Sequence, residues 1–491
     1  MIKSPPITIP AITVSETSAE LAGDSAIDAA PAGADIEALY ENGAYPTASP
    51  EGWRVDLEPA LPIIDAYLER SKGLVNPGAQ FFSPSPFFVT DEPRNPVALS
   101  SIKGKGGACI GIGQSLSLTY AAWLGAHHAY VIDLNGHVPF SFVPAYGSLL
   151  CMARSRLEFL SLVLGIPIPE SFGIQSENTD SPQRIFDMIL GCGSFDQDFF
   201  KSVSIAIATA IASRGPLSDN GVIFQAVQGW LSRFGTEYRN DIQNQEIPLE
   251  ALQLSDKEGQ GRLLSTETAF QRKRRLFMEG RLTGVAGDIT DGCLLDVSLD
   301  MIARKLSAQV VYLANAEAWI MDHAMHAVEE GGPDAQAMQL KRIVSFYSDL
   351  NCIPSAPDAL LISANTLMHT WVGRLRRYLK LSFPPGRPEL DAAKAAVEFF
   401  PIRTHAGSMQ NKSPARIIHS LVMAHELPLK VSQRLRIALV AVADIFEGHP
   451  PDAATVRLRL SKDPSTIGMF EPWEIELLIN NLQELRVVEK D

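Results

Sequence analysis

Between Gly106 and Ala153 the chain has one charged side chain, Asp133, although charged residues make up 20% of the whole. So little charge does not suit a solvated surface, where Asp, Glu, Lys and Arg concentrate. Cysteine is scarce as well. The five (Cys109, Cys151, Cys192, Cys293 and Cys352) are widely scattered, odd in number and without a Cys-x-x-Cys pair. This excludes a disulfide framework and a zinc cluster and points to a reducing cytoplasm. Long apolar runs are missing: the richest, 203–212, is interrupted by Ser204 and Thr209 and is too short to span a bilayer. Basic residues are outnumbered 42 to 56, and the net charge of −14 disfavours nonspecific binding to nucleic acid or to an anionic membrane. No Gly-x-Ser-x-Gly elbow and no Ser/His/Asp order suggest a hydrolase. The first fifty residues contain one basic residue, Lys3, and little aromatic character. They lack the basic start and apolar core of a signal peptide, and their acids contradict a transit peptide, so a disordered tail is expected over 1–50.

The nearly uncharged stretch is organised. Gly107-Ala108-Cys109-Ile110 reads as a buried strand, Gly111-Ile112-Gly113 as a turn and 114–124, beginning at Gln114, as a helix. A second apolar run, 129–132, ends on Asp133, twenty positions after Gly113. Strand, glycine turn, helix, strand and acid is the order of a nucleotide-binding βαβ unit. Glycine lets the chain turn sharply and a ligand approach the backbone. The free N–H groups of the helix would point at that ligand. A carboxylate at the end of the second strand accepts two hydrogen bonds from a ribose. The same residues also suit a plain core βαβ unit, closed by glycines and a capping acid. A dinucleotide fingerprint needs a third glycine three residues after the second, where Leu116 stands, and no Gly-Lys-Ser/Thr follows the turn to make a P-loop. An adenosine ligand without phosphates fits better, S-adenosylmethionine foremost.

Beyond this unit, 57–72 has the spacing of an amphipathic helix and 81–96 is proline-rich, so 51–100 is expected to cap the nucleotide domain. Residues 137–164 read as one or two helices and 165–280 as a helical insertion. Alternation then resumes, with a strand over 285–288 ending in Asp288, a helix over 294–306, a strand over 310–313 leading to Asn315, a helix over 335–349 and a strand over 359–363. This is the pattern of an α/β, doubly wound, mostly parallel sheet. Three strand ends carry Asp133, Asp288 and Asn315 to one sheet edge, where ligands of open parallel sheets bind. The composition shifts at Phe383-Pro384-Pro385-Gly386, and 383–491 is expected to be a helical or winged-helix-like appendix with amphipathic helices over 435–446 and 472–485, which offer a homodimer surface. The expected division is tail 1–50, helical cap 51–100, Rossmann domain 101–382 with its insertion, and C-terminal helical domain 383–491.

Cys109-Ile110-Gly111-Ile112-Gly113, Val131-Ile132-Asp133, Gly287-Asp288 and 311–317 together resemble the motif series of S-adenosylmethionine-dependent Rossmann-fold methyltransferases, closest to an uncharacterised bacterial group. The resemblance covers roughly 101–380, apart from the insertion. It implies that Gly111, Gly113 and Gln114 line the methionine part of the cofactor and that Asp133 holds the ribose. It further implies that Asp288 contacts the adenine amine and that Asn315 lies beside the transferred group. The chain departs from the pattern at Cys109, where the family usually has an acid, and at Ser115, where a third glycine is common.

The chemistry implied is methyl transfer to a small molecule or peptide, which needs alignment and, for some acceptors, a base. Asn315, Glu317 and His323 are the candidate catalytic residues, with Tyr312 a further candidate that also reads as core. Trp319 and Asp322-His323 leave open 3-amino-3-carboxypropyl transfer from the same cofactor, and Cys109 leaves open a non-catalytic nucleotide-binding or scaffold protein. Weaker patterns have plain structural readings. His323, His326 and Glu330 share a helical face, His127-His128 reads as a surface turn, and 271–275 (Gln-Arg-Lys-Arg-Arg) reads as a solvated basic helix face that offers a site for an anionic substrate or RNA.

Overall fold

The computed structural model describes residues 57–76, 79–81, 101–113, 115–168, 182–214, 220–243, 264, 266–329, 331–364, 370–384, 386–407, 413–423, 429–447 and 449–489. The expected tail, most of the proline-rich stretch, Gln114 and Glu330 lie outside these residues. Residues 48–491 form one compact unit.

Its centre is a six-stranded sheet of order β3-β2-β1-β4-β5-β6. The strands are β1 (Ala108–Ile112), β2 (His128–Asp133), β3 (Leu282–Ala286), β4 (Ala308–Ala314), β5 (Ser355–Ala364) and β6 (Thr370–Arg374). The first five are parallel, and β6 returns antiparallel to β5. The chain is therefore α/β with a mostly parallel sheet, consistent with double winding. Two details differ from the sequence expectation. The third strand lies earlier than 285–288, so Gly287 and Asp288 stand beyond its end, and β6 carried no strand signal strong enough to read.

Helices α1 (Leu61–Ser71) and α2 (Ser115–Leu124) flank the first strand, and a buried π-helical turn, Val138–Phe142, follows the second. Between β2 and β3 the chain then forms α3 (Val143–Met152), α4 (Arg156–Leu164), α5 (Pro182–Cys192), α6 (Gln197–Ala212), α7 (Asn220–Gln243) and α8 (Glu267–Met278). Helices α9 (Cys293–Ala303), α10 (Ala316–Glu329) and α11 (Pro333–Cys352) connect β3, β4 and β5, and α12 (Leu375–Ser382) follows β6. The C-terminal helices are α13 (Glu389–Gly407), α14 (Pro414–Met423), α15 (Leu429–Val442), α16 (Ala453–Lys462) and α17 (Pro472–Glu484).

Strand alternation divides the sheet between two cores, because successive side chains point to opposite faces. Cys109, Val131, Val310, Tyr312 and Ile362 pack with α1, α2 and the insertion, whereas Ile110, Tyr130, Ile132, Val311 and Leu361 pack with α9 to α13. The insertion is held by rings at one-turn spacing on α7: Trp230 stacks on Phe142 at 5.8 Å and on Phe234 at 5.0 Å, and Phe234 meets Tyr238 at 4.9 Å. Each such ring contributes about 1.5–3 kcal/mol by burial. Helix α13 is apolar on two sides: Ala393, Ala396 and Phe400 face the sheet's second core, and Ala395 and Phe399 face a third core built by α14 to α17. The described part of the C-terminal region holds helices and no strand, so no winged-helix sheet is present there.

The N-terminal cap covers the sheet edge at β3. Ser71 Oγ accepts the Gly284 N–H at 2.7 Å, Tyr67 donates to the Pro139 carbonyl at 2.8 Å, and Val75 bridges Ala286. A bare edge strand would expose unpaired backbone groups, and this contact satisfies them. Among the described residues, no helix is long and apolar enough to cross a membrane.

Candidate functional site

The C-terminal ends of β1, β2, β3 and β4 open into a cleft of about 310 Å³. It is lined by Ile112, Ile132, Asp133, Leu134, Gly287, Asp288, Ile289, Asn315, Ala316, Trp319, Ile320, His323 and Arg342. Grooves of about 640 Å³ beside α1 and about 390 Å³ at the foot of β5 are larger, but neither collects the ends of several strands. Parallel sheets place their ligands at the carboxyl ends, where the order reverses between β1 and β4. Asp133, Asp288 and Asn315, expected to converge from three strand ends, do line one cleft.

Asp133 is the most exposed residue of an otherwise buried β2. Its Oδ1 accepts the Asn135 N–H at 2.9 Å, and no described residue donates to Oδ2. Apolar surroundings push its carboxyl up to about 6, against the backbone hydrogen bond that lowers it. An acceptor oxygen left open at a strand tip suits a hydroxyl-rich ligand.

Asp288 is held on three sides. Thr290 donates to Oδ1 from its backbone N–H at 2.8 Å and from its hydroxyl at 2.7 Å, and Arg342 on α11 donates to Oδ2 at 2.8 Å. Arg342 also donates from Nε to Thr290 Oγ1 at 2.9 Å. Nothing near Asp288 in the sequence announces Arg342. Its only signal is a position on an expected helix, and its reach into the cleft follows from where α11 packs.

Asn315 stands at the head of α10, directly after Ala314, whose φ of +50° is left-handed in a non-glycine residue. Such strain, about 1–2 kcal/mol, persists where surrounding packing fixes it and is concentrated at functional sites. One and two turns along α10, Trp319 is 52% exposed and meets the exposed His323 at 6.1 Å between ring centroids. Both form the mouth of the cleft.

Glu317 does not join them. It is 1% exposed and accepts hydrogen bonds from Tyr347 at 2.7 Å, from Ser363 at 3.2 Å and from Tyr378. One helical position turns it from the cleft into the second core, so the catalytic role expected for it is replaced by a packing role. Tyr312 is core, tilted against Tyr120 at 5.2 Å.

The glycines divide their work. A Cβ on Gly111 would stand 2.3 Å from Ser117 Oγ, so this glycine admits α2 against the strand and is not among the residues that line the cleft. Gly113 has φ +73° and open space where a Cβ would be, and its N–H is already given to the Ile132 carbonyl at 2.9 Å. Cys109 is buried, and burial pushes its thiol up to about 12.

Two weaker readings change. His128 is no surface turn: it is buried in β2 against Thr283 Oγ1 at 2.8 Å, and burial lowers it to about 4, while His127 is exposed. The basic run is not a solvated face, because Lys273 is 1% exposed, Arg272 covers the Trp123 ring at 4.4 Å and Arg274 donates to the Leu150 carbonyl at 3.1 Å. No group of three metal-ligating side chains occurs among the described residues, and Glu330, the third member of the His323 and His326 pattern, lies outside them.

The fold and the cleft together define an α/β protein with a cleft at the carboxyl edge of its mostly parallel sheet. No protein-family model matches the chain, and no curated protein matches it.

Proposed function

We propose that this protein binds S-adenosylmethionine in the cleft and transfers its methyl group to a small molecule or peptide in a bacterial cytoplasm. The observation that carries the reading is Asp133, with one oxygen fixed by Asn135 and the other open to the cleft. A ribose fits that oxygen, although Gly113, like Gly111, is not among the residues that line the cleft. The antiparallel β6 also departs from the two parallel halves of a dinucleotide-binding sheet, which weighs against NAD.

When bound, S-adenosylmethionine supplies a sulfonium that already activates the methyl group. The protein's share is alignment, which contributes about 7 to 11 kcal/mol in favourable systems. Asp133 fixes the ribose, Asn315 orients the acceptor from the head of α10, and apolar Ile289, Ile320 and Trp319 exclude water. For an acceptor that must lose a proton, an imidazole nitrogen of His323 receives it at the mouth. Transfer of the 3-amino-3-carboxypropyl group from the same cofactor is the alternative within this reading, because Asn315, Trp319 and His323 serve either alignment.

A non-catalytic nucleotide-binding scaffold is the reading from another class, and Cys109, standing where the resemblance would place an acid, favours it. Calorimetry with S-adenosylmethionine and S-adenosylhomocysteine on wild type and Asp133→Ala separates these. Heat from wild type that Asp133→Ala loses supports the cofactor. No heat from either ligand removes both cofactor readings, and binding without transfer of labelled methyl to any acceptor pool supports the scaffold.

A further inference from the structure

We infer that Arg342 is a specificity-determining residue that reads the base of the bound nucleoside beside Asp288, and that the edge it reads is that of adenine. This rests on the adenosine reading of the cleft. Asp288, Thr290 and Arg342 form a closed ring of hydrogen bonds of 2.7–2.9 Å. A carboxylate has about four acceptor positions, and three are taken here: two on Oδ1 by Thr290 and one on Oδ2 by Arg342. One acceptor position on Oδ2 remains. A guanidinium has five N–H donors, and two of those of Arg342 are used among the described residues, on Nε and on Nη2.

Both side chains line the cleft, so it presents an acceptor and a donor side by side, held rigid by the ring. The Watson–Crick edge of adenine is the complement, with the N6 amino donor next to the N1 acceptor. Hypoxanthine reverses the order, with the O6 acceptor next to the N1–H donor. A ribose fixed at Asp133 prevents the base from turning over to restore the match. The ion pair thus both orients Asp288 and supplies the second contact, on N1.

The test titrates the full-length protein by calorimetry with S-adenosylhomocysteine and with its 1-deazaadenosine and inosine counterparts. Removing a hydrogen bond to a charged donor is expected to weaken wild-type binding of the 1-deaza compound by about tenfold or more, and the inosine compound, left with mismatched groups, by at least as much. In Arg342→Met the two adenine-type ligands are expected to bind alike, while Thr290→Val, which loosens the ring, keeps part of the discrimination. Equal wild-type affinity for the parent and 1-deaza ligands overturns the inference and leaves the adenosine reading standing. Absence of any S-adenosylhomocysteine binding overturns that reading itself. Should Arg342→Met fail to fold, the wild-type comparison decides alone.

Discussion

Tyr347 on α11 donates its hydroxyl to Glu317 on α10 at 2.7 Å, inside the core that covers one face of the sheet. Ser363 on β5 and Tyr378 on α12 donate to the same carboxyl group, so four elements meet at one buried side chain. Glu317→Ala removes an acceptor shared by three buried hydroxyls, of which Ser363 keeps a contact of 3.5 Å with the Ala314 carbonyl, at about 1–3 kcal/mol for each that finds no other partner. Urea unfolding should show a loss of about 3 kcal/mol or more, with Tyr378→Phe near 1 kcal/mol. An alanine variant as stable as wild type would return Glu317 to the list of catalytic candidates.

Asp133 should make ligand binding depend on pH. Its carboxyl is raised from 3.8 to about 6 by burial, and the form that accepts both ribose hydroxyls is the ionised one. Affinity for S-adenosylhomocysteine should climb as pH rises through about 6 and level off above 7, and Asp133→Asn should bind weakly at every pH. Without ligand the sign for stability is opposite: a raised carboxyl favours the fold below 3.8, and that contribution is lost as pH rises through about 6. Calorimetric titrations at a series of pH values measure the first effect and melting curves the second.

Glu398 on α13 is raised from 4.5 to about 7, mainly by burial, although Arg434 at 3.2 Å opposes this. The protonated native state holds a proton that the unfolded chain releases, so its stabilising contribution is complete below 4.5 and fades as pH climbs through 7. Between these limits Glu398→Gln should flatten the decline of melting temperature with pH. An unchanged slope would show that Glu398 titrates normally.

The two turn glycines should respond differently to alanine. Gly111→Ala forces a Cβ to 2.3 Å from Ser117 Oγ and 2.5 Å from Ser117 Cβ, so α2 must shift, at about 1–3 kcal/mol or more. Gly113→Ala meets no atom within 4 Å and carries only the left-handed φ penalty of about 1–2 kcal/mol. Denaturant midpoints of the two variants give the order, and a milder Gly111→Ala would show that the helix moves freely.

Local pattern was enough for much of this molecule. The apolar runs, Gly113 and the acid at 133 made the first βαβ unit readable, because period, turn chemistry and burial agree within thirty residues. The later strands were readable for the same reason, and with them the convergence of Asp133, Asp288 and Asn315, since strand ends of a parallel sheet share an edge. Contacts distant in sequence were not. Arg342 reaches Asp288 across 54 positions and Tyr378 reaches Glu317 across 61, and no spacing rule carries a signal over such separations. Gly111 and Lys273 were misread because glycine and lysine look alike in sequence whether they face a ligand, solvent or a neighbouring helix. The sequence by itself determined a mostly parallel, two-sided sheet with a polar carboxyl edge, since that is written in periodicity. Only the tertiary structure decided which polar groups face the cleft and which are spent inside the core, since that depends on how helices distant in the chain pack against the strands.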